Sequence, residues 1–220
     1  MRTGTSSASR IALTFDDGPD PLWTPHVLDA LAEARARATF FVVAPRARRY
    51  PSLLNRMRKE GHDVGFHCTQ HVRHAAMTQG EIEADLVSGL QALVRSVRLW
   101  RTPWGIVTPA TEAVAREHRL TLVGWTADTE DWRGGPADEM LAGVAADLMP
   151  GAIVLMHDGI GPGATRDGCA ETAELVRPLV TLARTRGLEP GSLRELRLPL
   201  PDRNPDYSVS RAGLKRLPCV

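Results

Sequence analysis

Cysteine is scarce in this 220-residue sequence, which contains only Cys68, Cys169 and Cys219. Three widely spaced thiols cannot form a disulfide framework, and their odd number indicates reduced cysteines. The first ten residues also lack the apolar stretch and the cleavage site that are typical of a signal peptide. Both absences favour a cytoplasmic protein.

Long hydrophobic runs are absent as well, and so is an excess of charge of one sign. No run approaches the ~18 apolar residues that a membrane span needs. Lys and Arg number 27 against 26 for Asp and Glu, which leaves a net charge of +1. Such a balance produces no overall field that would attract nucleic acid or an anionic membrane. We therefore expect neither as a partner, and the sequence does not indicate an oligomeric state.

The hydrophobic content is sufficient for one substantial core. With 43% hydrophobic residues among 220, the chain fits a single domain better than two. The segment 198–220 is polar and contains four prolines, which is typical of an irregular tail. We predict one domain at 1–197 and an irregular tail at 198–220.

Short apolar runs alternate with segments of helical periodicity. Strands are predicted at 11–13, 38–43, 63–66, 99–100, 120–125 and 151–156, with a weaker one at 188–193. Helices are predicted between them at 25–34, 52–60, 78–94, 108–118, 138–148 and 172–186. Six or seven strands alternating with helices predict an α/β fold, a parallel barrel somewhat incomplete for the eight-fold version.

Reactive side chains stand just after several predicted strands. They are Asp16, His67, Arg101, Asp128 and His157. Because the carboxyl ends of parallel strands converge on one face of a barrel, we expect these side chains to gather there. This position is where active sites lie in such folds.

Two adjacent carboxylates, Asp16 and Asp17, follow the first predicted strand. Their charges would repel each other unless a cation stood beside them, and we interpret that cation as a metal ion. His67 and His71 are four residues apart, so on a helical turn they would share one face. One carboxylate with two imidazoles leaves positions open for water and substrate, as in a catalytic zinc site. These residues predict a metal-dependent hydrolase.

Five motifs occur in order along the chain: TFDDGP at 14–19, HCTQH at 67–71, RTPWG at 101–105, DTEDW at 128–132 and LMH at 155–157. With them the chain resembles the polysaccharide deacetylase family, the NodB-homology or carbohydrate esterase family 4 domain. The match extends roughly over 10–196. It implies a distorted parallel (β/α)7–8 barrel of the NodB-homology type and a catalytic role for the domain at 1–197.

The resemblance also implies roles for the residues of the first three motifs. Asp17, His67 and His71 would hold Zn²⁺, with other divalent transition metals as alternatives. Asp16 would be the general base that takes a proton from the attacking water. Arg101 would pair with Asp16 and fix its orientation.

The remaining motifs would supply the acid and the acyl pocket. The resemblance implies that His157 is the general acid and that Asp131 holds its other ring nitrogen. The backbone N–H of Trp104 would stabilise the oxyanion. Trp132 and Leu155 would line the slot for the acetyl methyl group.

The implied activity is removal of an acetyl group from an N-acetylated amino sugar, either an oligosaccharide or a sugar-bearing small molecule. Two alternatives stay open: an esterase for O-acetylated sugars, and a non-catalytic sugar-binding homologue. The sequence departs from the usual family pattern at Phe66, Cys68, Thr102 and Trp104. These departures lie beside the catalytic groups, so they leave the mechanism intact and the substrate open.

Other residues near the motifs keep two interpretations. Asp128 fits a loop-structuring role as well as a functional one. For His74 we favour an exposed or incidentally hydrogen-bonded histidine over a place in the site, and for Cys68 we favour packing over zinc binding. We expect Trp104 to be a platform for a sugar ring, whereas Trp23 fits a core position and a platform equally well.

Overall fold

Eight strands and eight α-helices lie along the residues that the structure, a computed structural model, describes, which are 9–93 and 97–196. They alternate except at two places, where two helices and two strands follow each other directly. The strands are β1 (Ser9–Asp16), β2 (Thr39–Val43), β3 (Asp63–Cys68), β4 (Leu99–Trp100), β5 (Thr121–Leu122), β6 (Ala127–Asp128), β7 (Ile153–His157) and β8 (Leu188–Gly191). The helices are α1 (Trp23–Glu33), α2 (Ala44–Arg49), α3 (Pro51–Lys59), α4 (Gln79–Ala92), α5 (Pro109–Glu117), α6 (Ala137–Val144), α7 (Ala170–Thr185) and α8 (Leu193–Leu196).

All strand pairs are parallel, and the sheet runs in the order β5-β4-β3-β2-β1-β7-β6. Strand β8 pairs with the first half of β1. Because Ala12 pairs with both β7 and β8, β8 must lie on the same edge of β1 as β2. The sheet curls into an incomplete barrel whose path begins at β5 and ends at β6. The predicted distorted parallel barrel is thereby confirmed.

Strand β1 lies at the centre of this sheet and separates two hydrophobic clusters. Leu13 and Phe15 belong to the large cluster that the helices cover, and Phe15 stacks on Phe40 with ring centroids 5.2 Å apart. Ala12 belongs to a small cluster on the other face, inside the barrel. Side chains alternate along a strand, so Thr14 and Asp16 also face the interior. Asp16 is therefore placed at the carboxyl end of the barrel by the pleat of β1.

The predicted strand at 120–125 is wrong in its second half: β5 ends at Leu122, and the separate short strand β6 begins only at Ala127. The chain leaves β4 and crosses towards β7: the Val123 N–H donates to the carbonyl of Trp100, and the Thr126 N–H donates to that of Ile153. The carbonyls of Val123 and Gly124 turn inward and accept hydrogen bonds from Arg101. A long-range side-chain partner thus ends the strand that the apolar run predicted.

Most predicted helices are confirmed, with shifted ends. The capping box at the start of α4 is present, because Thr78 and Glu81 exchange backbone and side-chain hydrogen bonds. Helix α2 was not predicted. The last predicted residue of α4, 94, and the predicted tail at 198–220 lie outside the described residues. Among the described helices, none is long and apolar enough to cross a membrane.

Candidate active site

The predicted side chains meet at the carboxyl end of the sheet. Asp16 ends β1 and is the register partner of His157, the last residue of β7. His67 lies near the end of β3, and Arg101 directly follows β4. Asp128 ends β6, where its Oδ1 accepts the N–H of Glu130 at 2.8 Å. That hydrogen bond favours the loop-structuring interpretation of Asp128.

Asp17, His67 and His71 form a compact cluster of possible metal ligands. Asp17 Oδ1 lies 3.4 Å from His67 Nε2 and 3.3 Å from His71 Nε2. The two Nε2 atoms are 3.3 Å apart. A tetrahedral zinc site with bonds of about 2.0–2.1 Å has ligand–ligand edges of about 3.3–3.4 Å. The triangle therefore has the dimensions of one face of a tetrahedral zinc site.

The hydrogen bonds around this cluster also fit a metal. His67 Nδ1 lies 2.7 Å from the carbonyl oxygen of Arg101. Since a carbonyl can only accept, Nδ1 carries the hydrogen and Nε2 of a neutral ring keeps a lone pair. Asp17 Oδ1 is buried and accepts no hydrogen bond, which is costly unless a cation faces it. Burial raises the pKa of Asp17, but His67 and His71 outweigh it and hold that pKa below its usual range.

The carboxylates of Asp16 and Asp17 point in different directions, because Asp17 has left-handed backbone geometry, with φ at 73°. That conformation costs about 1–3 kcal/mol for a residue other than glycine. Arg46 Nη1 donates to the carbonyl of Asp17 at 2.9 Å, and Nη2 donates to that of Ile160, also at 2.9 Å. These bonds hold the turn that aims Asp17 at the histidines and leaves Asp16 inside the barrel.

The histidine pair does not lie on a helical turn, and that part of the prediction is wrong. His67 belongs to β3, and His71 follows a bend at 69–70. Asp85 of α4 accepts the N–H groups of Thr69 at 2.9 Å and Gln70 at 2.7 Å. These amides are therefore turned towards α4, and the chain bends back so that the two imidazoles still meet.

Arg101 is fully buried and pairs with Asp16, as predicted. Its Nη1 donates to Asp16 Oδ1 at 3.0 Å and to Thr14 Oγ1 at 2.8 Å. The rest of the guanidinium donates to the carbonyls of Val123 at 3.3 Å and Gly124 at 2.9 Å. It also lies over the ring of Phe41, at 4.4 Å from the centroid. Arg101 thus fills the barrel below Asp16 and joins β1 to the crossing segment between β5 and β6.

His157 and Asp131 form the second charged pair. His157 Nδ1 lies 2.7 Å from Asp131 Oδ1, and the backbone N–H of His157 donates to Oδ2 at 2.9 Å. Burial lowers the pKa of His157, but the Asp131 carboxylate outweighs it and raises that pKa to about 9. Burial raises the pKa of Asp131, and the charge of His157 reverses this shift. His157 is therefore protonated at neutral pH and directs Nε2 away from Asp131.

Aromatic side chains stand beside the two pairs. Trp104 has left-handed backbone geometry, with φ at 53°. Its ring meets the ring of His71 in a T-shaped contact, with the ring centroids 4.3 Å apart. Arg73 lies over Trp104, at 4.4 Å from the ring centroid. Trp132 is half-buried in the turn at Asp131–Arg133. The guanidinium carbon of Arg133 lies over its ring, 4.8 Å from the centroid.

Leu155 faces the interior, because it is the register partner of Thr14. It is 4% exposed. The carboxyl end of the barrel, where the possible metal ligands lie, therefore also carries Trp104, Trp132 and Leu155. Their roles towards a substrate stay predictions.

Of three residues with open interpretations, the structure buries two, His74 and Cys68, as packing residues. His74 is buried and lies 3.0 Å, through Nδ1, from Thr111 Oγ1, and burial lowers its pKa to about 4. Cys68 is buried, which raises the pKa of its thiol. Trp23 is half-buried beside Gly168, and both of its interpretations stay open. None of these three side chains is among the ligands of the described metal cluster.

Comparison with known proteins agrees with the five motifs. The family model described as Polysaccharide deacetylase matches residues 3–123. The chain belongs to the polysaccharide deacetylase family. It is 38% identical over 166 residues to a chitooligosaccharide deacetylase from Sinorhizobium fredii, covering 73% of this chain and 77% of that protein.

Solved structures of the polysaccharide deacetylase family share the fold. The Bc1960 peptidoglycan N-acetylglucosamine deacetylase superposes with a TM-score of 0.78 at 27% identity, covering 88% of this chain and 90% of that one. A family 4 carbohydrate esterase from Streptomyces lividans superposes with a TM-score of 0.75, also at 27% identity, covering 83% and 92%. The carbohydrate esterase family 4 resemblance is therefore confirmed.

Several residues that shape this deacetylase-family site were missed in the sequence. Arg46 holds the Asp17 turn, Asp85 bends the chain before His71, and Arg166 donates to Asp131 at 2.9 Å. They lie on helices or within a long loop, so no predicted strand end marked them. Arginine is also so common in this chain that no single arginine stands out.

Proposed function

We propose that this protein is a zinc-dependent carbohydrate N-deacetylase that removes an acetyl group from an N-acetylated amino sugar. The observation that carries the proposal is the triangle of Asp17, His67 and His71, flanked by the Asp16–Arg101 and His157–Asp131 pairs. The relatives named above as deacetylases of chitooligosaccharides and of peptidoglycan N-acetylglucosamine support sugar N-deacetylation. Other divalent transition metals are alternatives to Zn²⁺.

Asp17, His67 and His71 would hold the metal. A bound Zn²⁺ supplies Lewis acidity to a carbonyl oxygen and makes nearby water more acidic. Asp16 takes a proton from the water as the water adds to the acetyl carbonyl carbon. Its carboxylate suits this role because Arg101 fixes Oδ1 at 3.0 Å, which leaves Oδ2 for the water. The base therefore approaches from a fixed direction.

His157 completes the reaction at the leaving nitrogen. The carbon–nitrogen bond breaks as the amine nitrogen takes a proton from His157 Nε2, and acetate and the free amino sugar are released. Amines leave poorly as anions, so this proton is essential for an amide. The raised pKa of His157, about 9, keeps the acid charged at neutral pH. Because an alkoxide leaves more easily, this arrangement favours an amide substrate over an O-acetyl ester.

The apolar side chains would bind the acetyl group. We propose that Trp132 and Leu155 line the slot for the methyl group and that the Trp104 N–H stabilises the oxyanion. The Trp104 ring, which also lies under Arg73, would serve as a platform for a sugar ring. The cytoplasmic location, the limits of the catalytic domain at 1–197 and the size of the substrate stay predictions.

A screen for loss of acetyl by mass spectrometry tests the proposal. Protein loaded with Zn²⁺ is incubated with N-acetylglucosamine oligomers, peptidoglycan fragments and N-acetylated small glycosides. We expect a loss of one or more acetyl groups that stops with a chelator and returns with Zn²⁺. Asp16→Asn should lower the rate at least ~100-fold, as expected for loss of a general base. Binding of these sugars without any hydrolysis would instead favour a non-catalytic homologue.

A further inference from the structure

Arg166 lies behind the His157–Asp131 pair and joins three segments of the chain. Its side chain is 5% exposed. Nη1 donates to Asp131 Oδ2 at 2.9 Å and to the Asp131 carbonyl at 3.1 Å, and it also donates to Thr172 Oγ1 of α7. Nη2 donates to the carbonyls of His157 at 3.2 Å and Gly159 at 3.3 Å and lies 3.2 Å from Cys169 Sγ. The guanidinium therefore fixes the turn that carries Asp131 against the end of β7.

The two oxygens of Asp131 have separate partners. Oδ1 faces His157 Nδ1, whereas Oδ2 accepts from the His157 N–H, from Arg166 and from Thr172 Oγ1 at 2.7 Å. Three donors on Oδ2 prevent the carboxylate from rotating, and a carboxylate that cannot rotate holds the imidazole in one orientation. Arg166 therefore acts on the imidazole of His157 through Asp131.

Charge gives Arg166 a second effect. Asp131 is 1% exposed, and a buried carboxylate without a cation is strongly unfavourable. While His157 is protonated, Asp131 has two cations beside it. Once His157 has given its proton to the leaving amine, Arg166 is the cation that still compensates Asp131. Proton donation by His157 therefore leaves no unpaired buried charge.

We propose that Arg166 is a positioning residue for the proton-donating step, which orients Asp131 and compensates its charge after His157 has released its proton. The proposal rests on the deacetylase function proposed above. Its effect should depend on the leaving group, because only a poor leaving group needs the proton of His157. A merely structural role would instead lower the rate on every substrate alike.

The test compares an amide and an activated ester in Arg166→Met, which keeps an unbranched apolar stem and removes the guanidinium donors. On an N-acetylglucosamine oligomer, kcat should fall at least ~100-fold, the scale of general acid catalysis. On p-nitrophenyl acetate, whose phenolate leaves without a proton, kcat should fall less than ~5-fold. KM should change little on either substrate. Arg166→Lys should recover part of the amide rate, because an ammonium group restores the positive charge but not the planar set of N–H donors of the guanidinium.

Two further variants serve as references for this comparison. His157→Ala should show the same amide-selective loss, and adding Arg166→Met to it should lower the amide rate little further, because both changes act on one step. Arg184→Met is the matched control. Arg184 also donates to backbone carbonyls, those of Ala34 and Arg35, but at the far end of α7. It should leave both activities unchanged.

An equal loss on the amide and the ester, or no loss on either, would overturn the proposal. A wild-type protein without amide activity would refute the proposed function instead. In that case NMR of the imidazole nitrogens of His157 still decides the role of Arg166, since it needs no turnover. Arg166→Met should shift these resonances and speed the exchange of the Nδ1 hydrogen. Resonances identical to those of the wild type would contradict the proposal.

Discussion

Replacing Arg101 with methionine should destabilise the barrel severely. The change removes hydrogen bonds to Asp16, Thr14, Val123 and Gly124 and leaves the Asp16 carboxylate, which is 4% exposed, without its cation. Breaking a buried ion pair from one side typically costs about 3–5 kcal/mol. A domain of this kind is stable by about 5–15 kcal/mol in total. We therefore expect Arg101→Met to lose about 3–5 kcal/mol of its free energy of unfolding.

Urea unfolding followed by circular dichroism at pH 7, with a chelator present in all samples, measures this loss. The double variant Arg101→Met with Asp16→Asn should recover at least about 1 kcal/mol, because the unpaired charge is then gone. Arg194→Met is the control. Its partner is Asp63 at 3.3 Å, but the Arg194 side chain is 83% exposed, so the change should stay within about 1 kcal/mol. A loss in Arg101→Met no larger than in this control would show that the buried pair of Arg101 and Asp16 does not stabilise the barrel.

Three smaller predictions concern the acid, the metal and the scaffold. The amide rate should fall as pH rises through about 9, the raised pKa at which His157 loses its proton. In Asp131→Asn this fall should occur about one pH unit or more lower, because burial then lowers the pKa of His157 without an opposing carboxylate. Gly161→Ala should weaken Zn²⁺ binding about 10–100-fold, because its Cβ would collide with the carboxylate of Asp17. Gly143→Ala, inside α6 with open space around the new methyl group, should stabilise the protein by about 0.5–1 kcal/mol.

The measurements are pH–rate profiles, isothermal titration with Zn²⁺ and urea unfolding, respectively. An alkaline limb that stays in place in Asp131→Asn would contradict the assignment of His157 as the acid. Gly143→Ala also serves as the control for Gly161→Ala, because both exchange the same atoms. Equal Zn²⁺ affinity in the two variants would show that the loop at 161 does not constrain Asp17.

The parts of this fold that the sequence predicts well are those decided by local patterns. Strands β1 and β7 each contain a continuous apolar run, 11–13 and 153–156, and the register of one strand against the other brings Asp16 beside His157. The parallel arrangement then follows from the alternation of strands and helices. For the same reason the convergence of reactive residues at one end of the sheet could be predicted from their positions after strands.

The parts that were missed depend on contacts between distant residues. The bend before His71 depends on Asp85 of α4, and the break between β5 and β6 accompanies hydrogen bonds to Arg101. Arg166 acts from a loop whose sequence has no periodicity. No local pattern encodes such partners, because each becomes a neighbour only after the sheet has formed.

We propose that acetyl removal depends on one metal ion, held by Asp17, His67 and His71. Stepwise addition of Zn²⁺ to the metal-free protein, with acetate release from an N-acetylglucosamine oligomer measured at each step, tests it most directly. We expect a rate that rises to a plateau at one equivalent of Zn²⁺ and that stays near zero in His71→Ala. Full activity before any metal is added, or a plateau only at two equivalents, would contradict it.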